Sequence, residues 1–418
     1  MSNIKEIGGH LIMEGYGLEW LELVGRWLHL LFGIAWIGAS LHFVRVDRGL
    51  VAPSSESDER QGTFWAIHGG GIYEFTKYKG APAVWPSELH WSKWEAYSTW
   101  LSGVLLLFLV YYVKAEAYLY GELELLHTPV RAVMASMALI AGSVLVYEGL
   151  IRSALPARPA VLAWVMGGLV LGLSFLSLTL FAPRAAFIHV GAVLGSIMVG
   201  NVFFGIIPAQ KAFVAAVQQG RAPDQSRADK AKQRSFFNNY FTLPVLFCMV
   251  SLHFPMVYQH ELAGVSLFLI MLAGALGRHF FNLRHVGLHQ PIYLAAAALI
   301  LMGVAWLIQP RSIEVEADTQ LSADPVEARQ AKAELEAEVM ALVNLHCVNC
   351  HADQPTYPGF SSAPAGLSYE SLAMLRAQSA RAMTAIQSGY MPLGNLTQLS
   401  KDDRAKLVRY LATEGSAP

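Results

Sequence analysis

The sequence predicts an all-α fold: an eight-span transmembrane helical bundle at residues 1–310, a linker at 311–330 and a small helical domain at 331–418. Three observations carry this expectation. Of the 418 residues, 54% are hydrophobic and only 15% charged, where a soluble domain has roughly 25% charged residues. Apolar runs at or near the roughly 20 residues needed to cross a bilayer recur eight times. After Pro310 the chain turns polar and acidic, with no further long apolar run. The net charge of −1 sets up no bulk field, and the basic residues sit in short loops between apolar runs, so no nucleic-acid patch is formed.

The runs lie near residues 18–44, 97–113, 130–150, 160–182, 185–207, 240–258, 263–282 and 292–309, the second and sixth being the shortest. The first is too long for the core of a signal peptide. The connecting loops differ in charge. The first carries Arg45, Arg48, Arg60, Lys77, Lys79 and Lys93, and the fifth Lys211, Arg221, Arg227, Lys230, Lys232 and Arg234. The third adds Arg152 and Arg158 and the seventh Arg284, whereas the even loops hold only Lys114, Arg131 and Arg184. Positive charge stays on the cytoplasmic side, so the odd loops are expected there and both termini on the outer side.

In the last domain, a helical pattern at 331–345 and an amphipathic stretch at 401–413 flank a middle rich in Pro, Gly and Ser. So small a unit builds little core by itself, and a large flat cofactor would supply an apolar centre. Cys347-Val348-Asn349-Cys350-His351 is the attachment pattern for c-type haem: two thiols three positions apart add across both vinyl groups, and the adjacent His becomes the proximal iron ligand. A zinc site would want a second ligand pair, and no Cys or His follows His351. For the other face of the iron, Met391 in Gly389-Tyr390-Met391-Pro392 stands in a loop, while Met374 and Met383 fall in a helical stretch where Met usually packs in a core. His/Met ligation raises the potential and suits electron acceptance. The domain resembles a class I cytochrome c, which acquires haem outside the cytoplasm, in agreement with the loop charges.

Ionisable residues inside spans are costly and point to function. His29, His189 and His253 are expected between the middle and the outer half of the bilayer. Trp27-Leu28-His29 followed by Gly33, Gly38 and Ser40 is echoed by Phe187-Ile188-His189 followed by Gly191, Gly195 and Ser196, a pattern of repeats around a central site. These histidines suit a non-covalent b-type haem; the alternative is hydrogen bonding across helices. The first loop is dense in His, Trp, Tyr and Glu: His68-Gly69-Gly70-Gly71-Ile72-Tyr73-Glu74, Lys77-Tyr78-Lys79, and Leu89-His90-Trp91 through Trp94-Glu95-Ala96-Tyr97. With Lys232-Gln233-Arg234 through Asn238-Asn239-Tyr240, and Arg278-His279 through Arg284-His285, these groups offer stacking faces, donors and proton acceptors for a planar anion. A basic lipid-facing surface with aromatic anchors is the competing interpretation.

The segments around Arg26-Trp27-Leu28-His29, His68-Gly69-Gly70-Gly71, Leu89-His90-Trp91 through Tyr97, and Lys232 through Tyr240 resemble the bacterial integral-membrane urate oxidase (urate hydroxylase) family, in which an eight-span domain precedes a cytochrome c. The resemblance covers essentially the whole chain in the same domain order; residues 355–364 make a longer Pro-rich stretch than a minimal cytochrome needs. It implies a multi-pass protein of the bacterial inner membrane with its cytochrome on the periplasmic side. It also implies oxidation of urate to 5-hydroxyisourate, with electrons passing through haem c to a respiratory-chain acceptor. The residues expected to form the urate pocket are Glu74, Lys77, Trp94, Arg234, Asn238 and His285, with His68 or Glu95 as the catalytic base, and His29, His189 and then His253 as the membrane relay. Rival readings are a non-catalytic membrane-anchored electron carrier, a quinol oxidase subunit, and a purine transporter, for which Pro244 and Pro255 are the only helix-breaking hints.

Overall fold

A helix satisfies its backbone N–H and C=O groups within its own segment, as hydrocarbon requires, and the apolar runs do become helices. The structure, a computed structural model, describes residues 2–55, 59–309, 325–357, 360 and 362–414, with 2–15, 325–328 and 414 described by backbone alone. Most of the expected linker at 311–330 lies outside the described residues. In chain order the elements are α1 (Ser2–Arg48), β1 (Arg60–His68), β2 (Gly71–Tyr78), α2 (Trp94–Leu106), α3 (Ala115–Tyr118), α4 (Pro129–Arg152), α5 (Pro159–Leu180), α6 (Pro183–Gly200), α7 (Ile207–Gln218) and α8 (Gln225–Val250). They continue with α9 (Pro255–Tyr258), α10 (Ala263–Arg284), α11 (Ile292–Leu307), α12 (Pro325–His346), α13 (Leu372–Ala377), α14 (Ser379–Gln387) and α15 (Lys401–Glu414). Two π-helical segments continue α2 (Leu107–Tyr112) and join α6 to α7 (Asn201–Ile206).

Among the described residues, six helices are long and apolar enough to cross a membrane: Tyr16–Arg48, Pro129–Arg152, Pro159–Leu180, Pro183–Gln218, Gln225–His253 and Ala263–Arg284. The expected spans at 97–113 and 292–309 form shorter helices, α2 with its π extension and α11, which pack along α1 and α10. One end of the bundle gathers the odd loops, where Asp47 pairs with Lys77 and, at 3.2 Å, with Lys232. The other gathers the even loops: Tyr120 bridges to Phe181, Lys114 meets Glu22 at 2.8 Å, and Arg184 lies 5.0 Å over the Tyr118 ring.

The all-α expectation needs one correction. The glycine-rich part of the first loop folds as an antiparallel hairpin, with His68 opposite Gly71. Gly69 and Gly70 take φ of 56° and 81°, the left-handed pair a two-residue primed turn demands. Chain reversal thus accounts for these glycines.

α6 is the centre of the bundle, buried along most of its length and shared by two apolar clusters. It crosses α8 where a Cβ on Gly191 would lie 2.7 Å from the Cys248 Cβ. We expect Gly191→Ala to cost about 1–3 kcal/mol of stability through this clash, read as a lower unfolding midpoint in detergent; an unchanged midpoint would show that the crossing is soft.

The C-terminal domain packs α12, α13, α14 and α15 around Val343, Tyr369, Leu375, Leu407 and Leu411. It meets the even-loop end of the bundle. The Tyr390 and Tyr258 rings are 6.3 Å apart, Phe360 lies 6.0 Å from the Lys114 ammonium, and the turn Leu393–Asn395 packs on α3.

Candidate functional site

At the odd-loop end, α8 presents two successive asparagines to two different networks. Arg234 and Asn238, one turn apart, face α4 and α6. Arg234 donates to both Glu148 oxygens at 2.7 and 2.8 Å and to the Asn201 Oδ1 at 3.1 Å. Asn201 donates to the Tyr147 hydroxyl at 2.9 Å and to the Asn238 Oδ1 at 2.8 Å, and Asn238 donates to the Met198 carbonyl at 2.9 Å. Gly205 leaves room for this arginine, since a Cβ there would collide with its Cδ. The amide donors of Asn201 and Asn238 and the forked guanidinium find protein partners, so this cluster clamps three elements and offers little to a ligand.

The second network is open. Arg278 donates through Nε to the Asn239 Oδ1, and Asn239 donates to the Asn282 Oδ1 at 3.3 Å. Arg48 donates to the Asn282 carbonyl at 3.0 Å and lies 5.1 Å over the Phe236 ring. Tyr240 and the His279 Nδ1 are 2.6 Å apart, and the His279 ring stands edge-on to Tyr293. Arg278 and Asn282 are 6% and 1% exposed, yet Arg278 Nη2 and Asn282 Nδ2 have no hydrogen-bond partner. Among the described residues Arg278 forms no ion pair with a carboxylate. Just beyond α10, burial and then the guanidiniums of Arg278, Arg45, Arg48 and Arg284 pull His285 below the ordinary histidine value. The region is positive, buried and short of acceptors, which describes a place for an anion that accepts hydrogen bonds.

The other expected pocket residues are dispersed. His68 and Glu74 are exposed on the hairpin, Glu74 accepting only from Thr76 at 3.4 Å. Lys77 is paired with Asp47. Trp94 is 63% exposed at the start of α2, edge-on to Tyr97 at 6.0 Å. Beside it Glu95 has one oxygen 3.4 Å from His90 Nε2 and the other buried without a partner. Of this network the sequence makes legible only Arg278, as an ionisable residue inside a span with no acid nearby; nothing in the sequence marks Asn239 or Asn282.

The three span histidines have no partner in common. His29 Nδ1 lies 3.0 Å from the Thr99 carbonyl and 3.0 Å from the Ser102 hydroxyl. His189 is fully buried and stacks on Phe181 at 4.2 Å. Its Nδ1 donates to the Ala185 carbonyl at 2.7 Å, so its Nε2 accepts from Ser136, 2.6 Å away. His253 is exposed in a 3-10 turn after α8.

In the C-terminal domain Cys347 and Cys350 are free thiols. Burial, reinforced by Cys350, pushes the Cys347 thiol up to about 12, and burial also raises Cys350; neither has the cationic surroundings of a reactive thiolate. His351, 7% exposed, holds its Nδ1 2.8 Å from the Leu367 carbonyl. That bond fixes the tautomer and leaves Nε2 as the ligating nitrogen, the arrangement seen in metal-bound histidines. Leu367 also borders an open cavity of about 570 Å³ lined by Gln378, Ser379 and Arg381. Met391 lies in a loop held at both backbone groups, its N–H donating to Ala385 at 2.9 Å and its carbonyl accepting from Arg404 at 2.7 Å. Met374 and Met383 sit within α13 and α14. Among the described residues no three His, Cys, Asp or Glu side chains converge as a metal cage.

These features define a helical protein with several helices long and apolar enough to cross a membrane, a cationic, hydrogen-bond-deficient cluster at one end and a small helical domain seated at the other. Residues 15–309 match the model of the urate oxidase N-terminal family, and the chain belongs to that family. No curated protein and no solved structure matches it. Membership points to an oxidoreductase engaged in urate-related oxidation.

Proposed function

We propose that the protein oxidises urate to 5-hydroxyisourate in the membrane of a bacterium, with a c-type haem in its C-terminal domain as electron acceptor. The reaction joins urate and water and releases two protons and two electrons, the electrons leaving one at a time through the haem to a respiratory-chain acceptor. The observation that carries the reading is the pair of buried, unpartnered donors on Arg278 and Asn282 within a chain of this family. Urate is a planar anion rich in carbonyl oxygens. Arg278 and Asn282 would donate to it, Arg48 and Arg45 would add attraction, and Phe236 would give a stacking face. Tyr240 and His279, in mutual hydrogen bond, are the nearest groups able to take a proton, in place of His68, which the hairpin holds in solvent.

Cys347, Cys350, His351 and Met391 fit the haem: two unengaged thiols, a histidine with its tautomer fixed and a tethered methionine. When bound, such a group supplies a one-electron acceptor whose potential His/Met ligation raises. The proposed topology puts the urate site on the cytoplasmic side and this domain on the periplasmic side, roughly 30 Å of hydrocarbon apart. For a second haem in the membrane, His29 fits, because its Nδ1 is bonded and its Nε2 is free among the described residues. His189 does not fit, because both ring nitrogens are engaged, and we assign it to packing.

The test is anaerobic addition of urate to the purified protein, followed in the haem absorption bands, with a pyridine haemochrome assay alongside. We expect reduction of a c-type band by urate. A preparation reduced by dithionite but not by urate would instead favour a non-catalytic electron carrier or a quinol oxidase subunit.

A further inference from the structure

A second set of unsatisfied groups lies at the opposite end of the bundle, where the C-terminal domain sits. Arg184, in the first turn of α6, faces four tyrosines: Tyr111, Tyr118 and Tyr258 from the bundle and Tyr390 from the C-terminal domain. Its guanidinium lies over the Tyr118 ring at 5.0 Å. No carboxylate pairs with it among the described residues. The nearby Glu22 is already held between Lys114 at 2.8 Å and Arg26 at 3.6 Å. Arg184 Nε, the Tyr111 hydroxyl and the Tyr258 hydroxyl are all buried without a hydrogen-bond partner. Tyr111 and Tyr258 are 3% and 0% exposed.

Buried donors gathered around one guanidinium that lacks a carboxylate are expensive to leave unsatisfied. An oxyanion beside Arg184 would accept from this group, and the N-terminus of α6 adds its own positive potential. The C-terminal domain brings its cofactor-attachment face to this place. Tyr390 immediately precedes Met391, and Tyr357 lies in the electrostatic neighbourhood of both Cys350 and Glu116 of α3. A porphyrin of the haem c type carries two propionates, which are carboxylates in need of such donors.

We infer that Arg184, Tyr258 and Tyr111 form a carboxylate-binding site at the junction of the two domains, filled by a propionate of the haem carried on Cys347 and Cys350. The source of the carboxylate rests on the haem reading above; the site itself does not. Arg184 is a positioning residue here. It ties the cofactor edge to the bundle and balances the propionate charge, which favours the reduced state.

The experiment uses the full-length protein in detergent, as wild type, Arg184→Gln, Arg184→Lys and Tyr258→Phe. Haem content is measured by pyridine haemochrome, the midpoint by redox titration, and thermal stability with and without acetate. With haem present, Arg184→Gln should lower the ferrous-to-ferric ratio at a fixed potential about tenfold, equivalent to ~59 mV for one electron. Tyr258→Phe should move it the same way by less, and Arg184→Lys should hold it near wild type. If Arg184→Gln fails to assemble, Arg184→Lys and Tyr258→Phe decide. A free carboxylate in the site would appear instead as saturable stabilisation of the wild type by acetate, lost in Arg184→Gln, which supports the site and replaces its occupant. If the wild type holds no haem, the haem reading fails and the acetate arm alone decides. Unchanged midpoints together with no acetate effect overturn the inference.

Discussion

Arg278→Gln should lower kcat/KM for urate roughly 100-fold without loss of folded protein. Two charge-assisted hydrogen bonds to a desolvated anion are together worth about 3 kcal/mol or more, and about 2.7 kcal/mol corresponds to a hundredfold. The stability arm separates this from a folding defect. A buried guanidinium without a counter-ion opposes folding, so the variant should unfold at the wild-type midpoint or above it. The wild type should be stabilised by urate under anaerobic conditions, because only the folded state binds it, and the variant should not be. Asn282→Ala should lose less activity in the same direction. Wild-type turnover in Arg278→Gln would remove the odd-loop end as the urate site.

Arg234→Ala should behave in the opposite way, losing stability and keeping activity per folded molecule. Its side chain and that of Glu148 are 10% and 18% exposed and meet through two hydrogen bonds. Removal of one partner from a buried pair costs about 3–5 kcal/mol, mostly as the penalty on the charge left behind. Here Arg152 also reaches Glu148, at 2.7 Å, so the lower figure applies. Because membrane proteins commonly unfold irreversibly, the measurement is the half-life at fixed temperature. Glu148→Gln in the same chain should recover part of the loss, since it removes the unpaired carboxylate. Activity falling in step with Arg278→Gln would mean that this network belongs to the urate site after all.

The contrast between these arginines shows where the sequence is informative. Long apolar runs name membrane helices because length and composition are local properties, and six of the expected eight have the full length. The Cys-x-x-Cys-His pattern is legible for the same reason: its chemistry is contained in five adjacent residues. The anion cluster is spread over α1, α8 and α10, and its membership depends on helix rotation. Asn238 and Asn239 are indistinguishable on the page, yet about 100° of helix separates them. Asn238 is absorbed into the clamp, whereas Asn239 hands Arg278 on toward Asn282. His29 and His189 also look alike in sequence, and only the position of Ser136, on another helix, shows that one of them is saturated. The glycine triplet after His68 invited a ligand-binding reading because glycine serves ligands and turns equally well; the backbone angles decide for the turn.

The two π segments constrain how this chain can change its length. Each winds more residues into a turn than α geometry takes, and thereby shifts the phase of everything that follows by roughly one residue, about 100°. Leu107–Tyr112 carries Tyr111 and Tyr112, which face Arg184 and Ser136, while His29 contacts the α-helical part ahead of it. Asn201–Ile206 carries Asn201 and Gly205, both committed to Arg234. Loss of a single codon inside either segment would rewind it to α geometry and rotate one half of the helix away from its contacts, while the same deletion in the exposed turn at 219–224 would be absorbed by the loop. Two short stretches of irregular helix therefore leave the loops as the places where this chain tolerates a change of length.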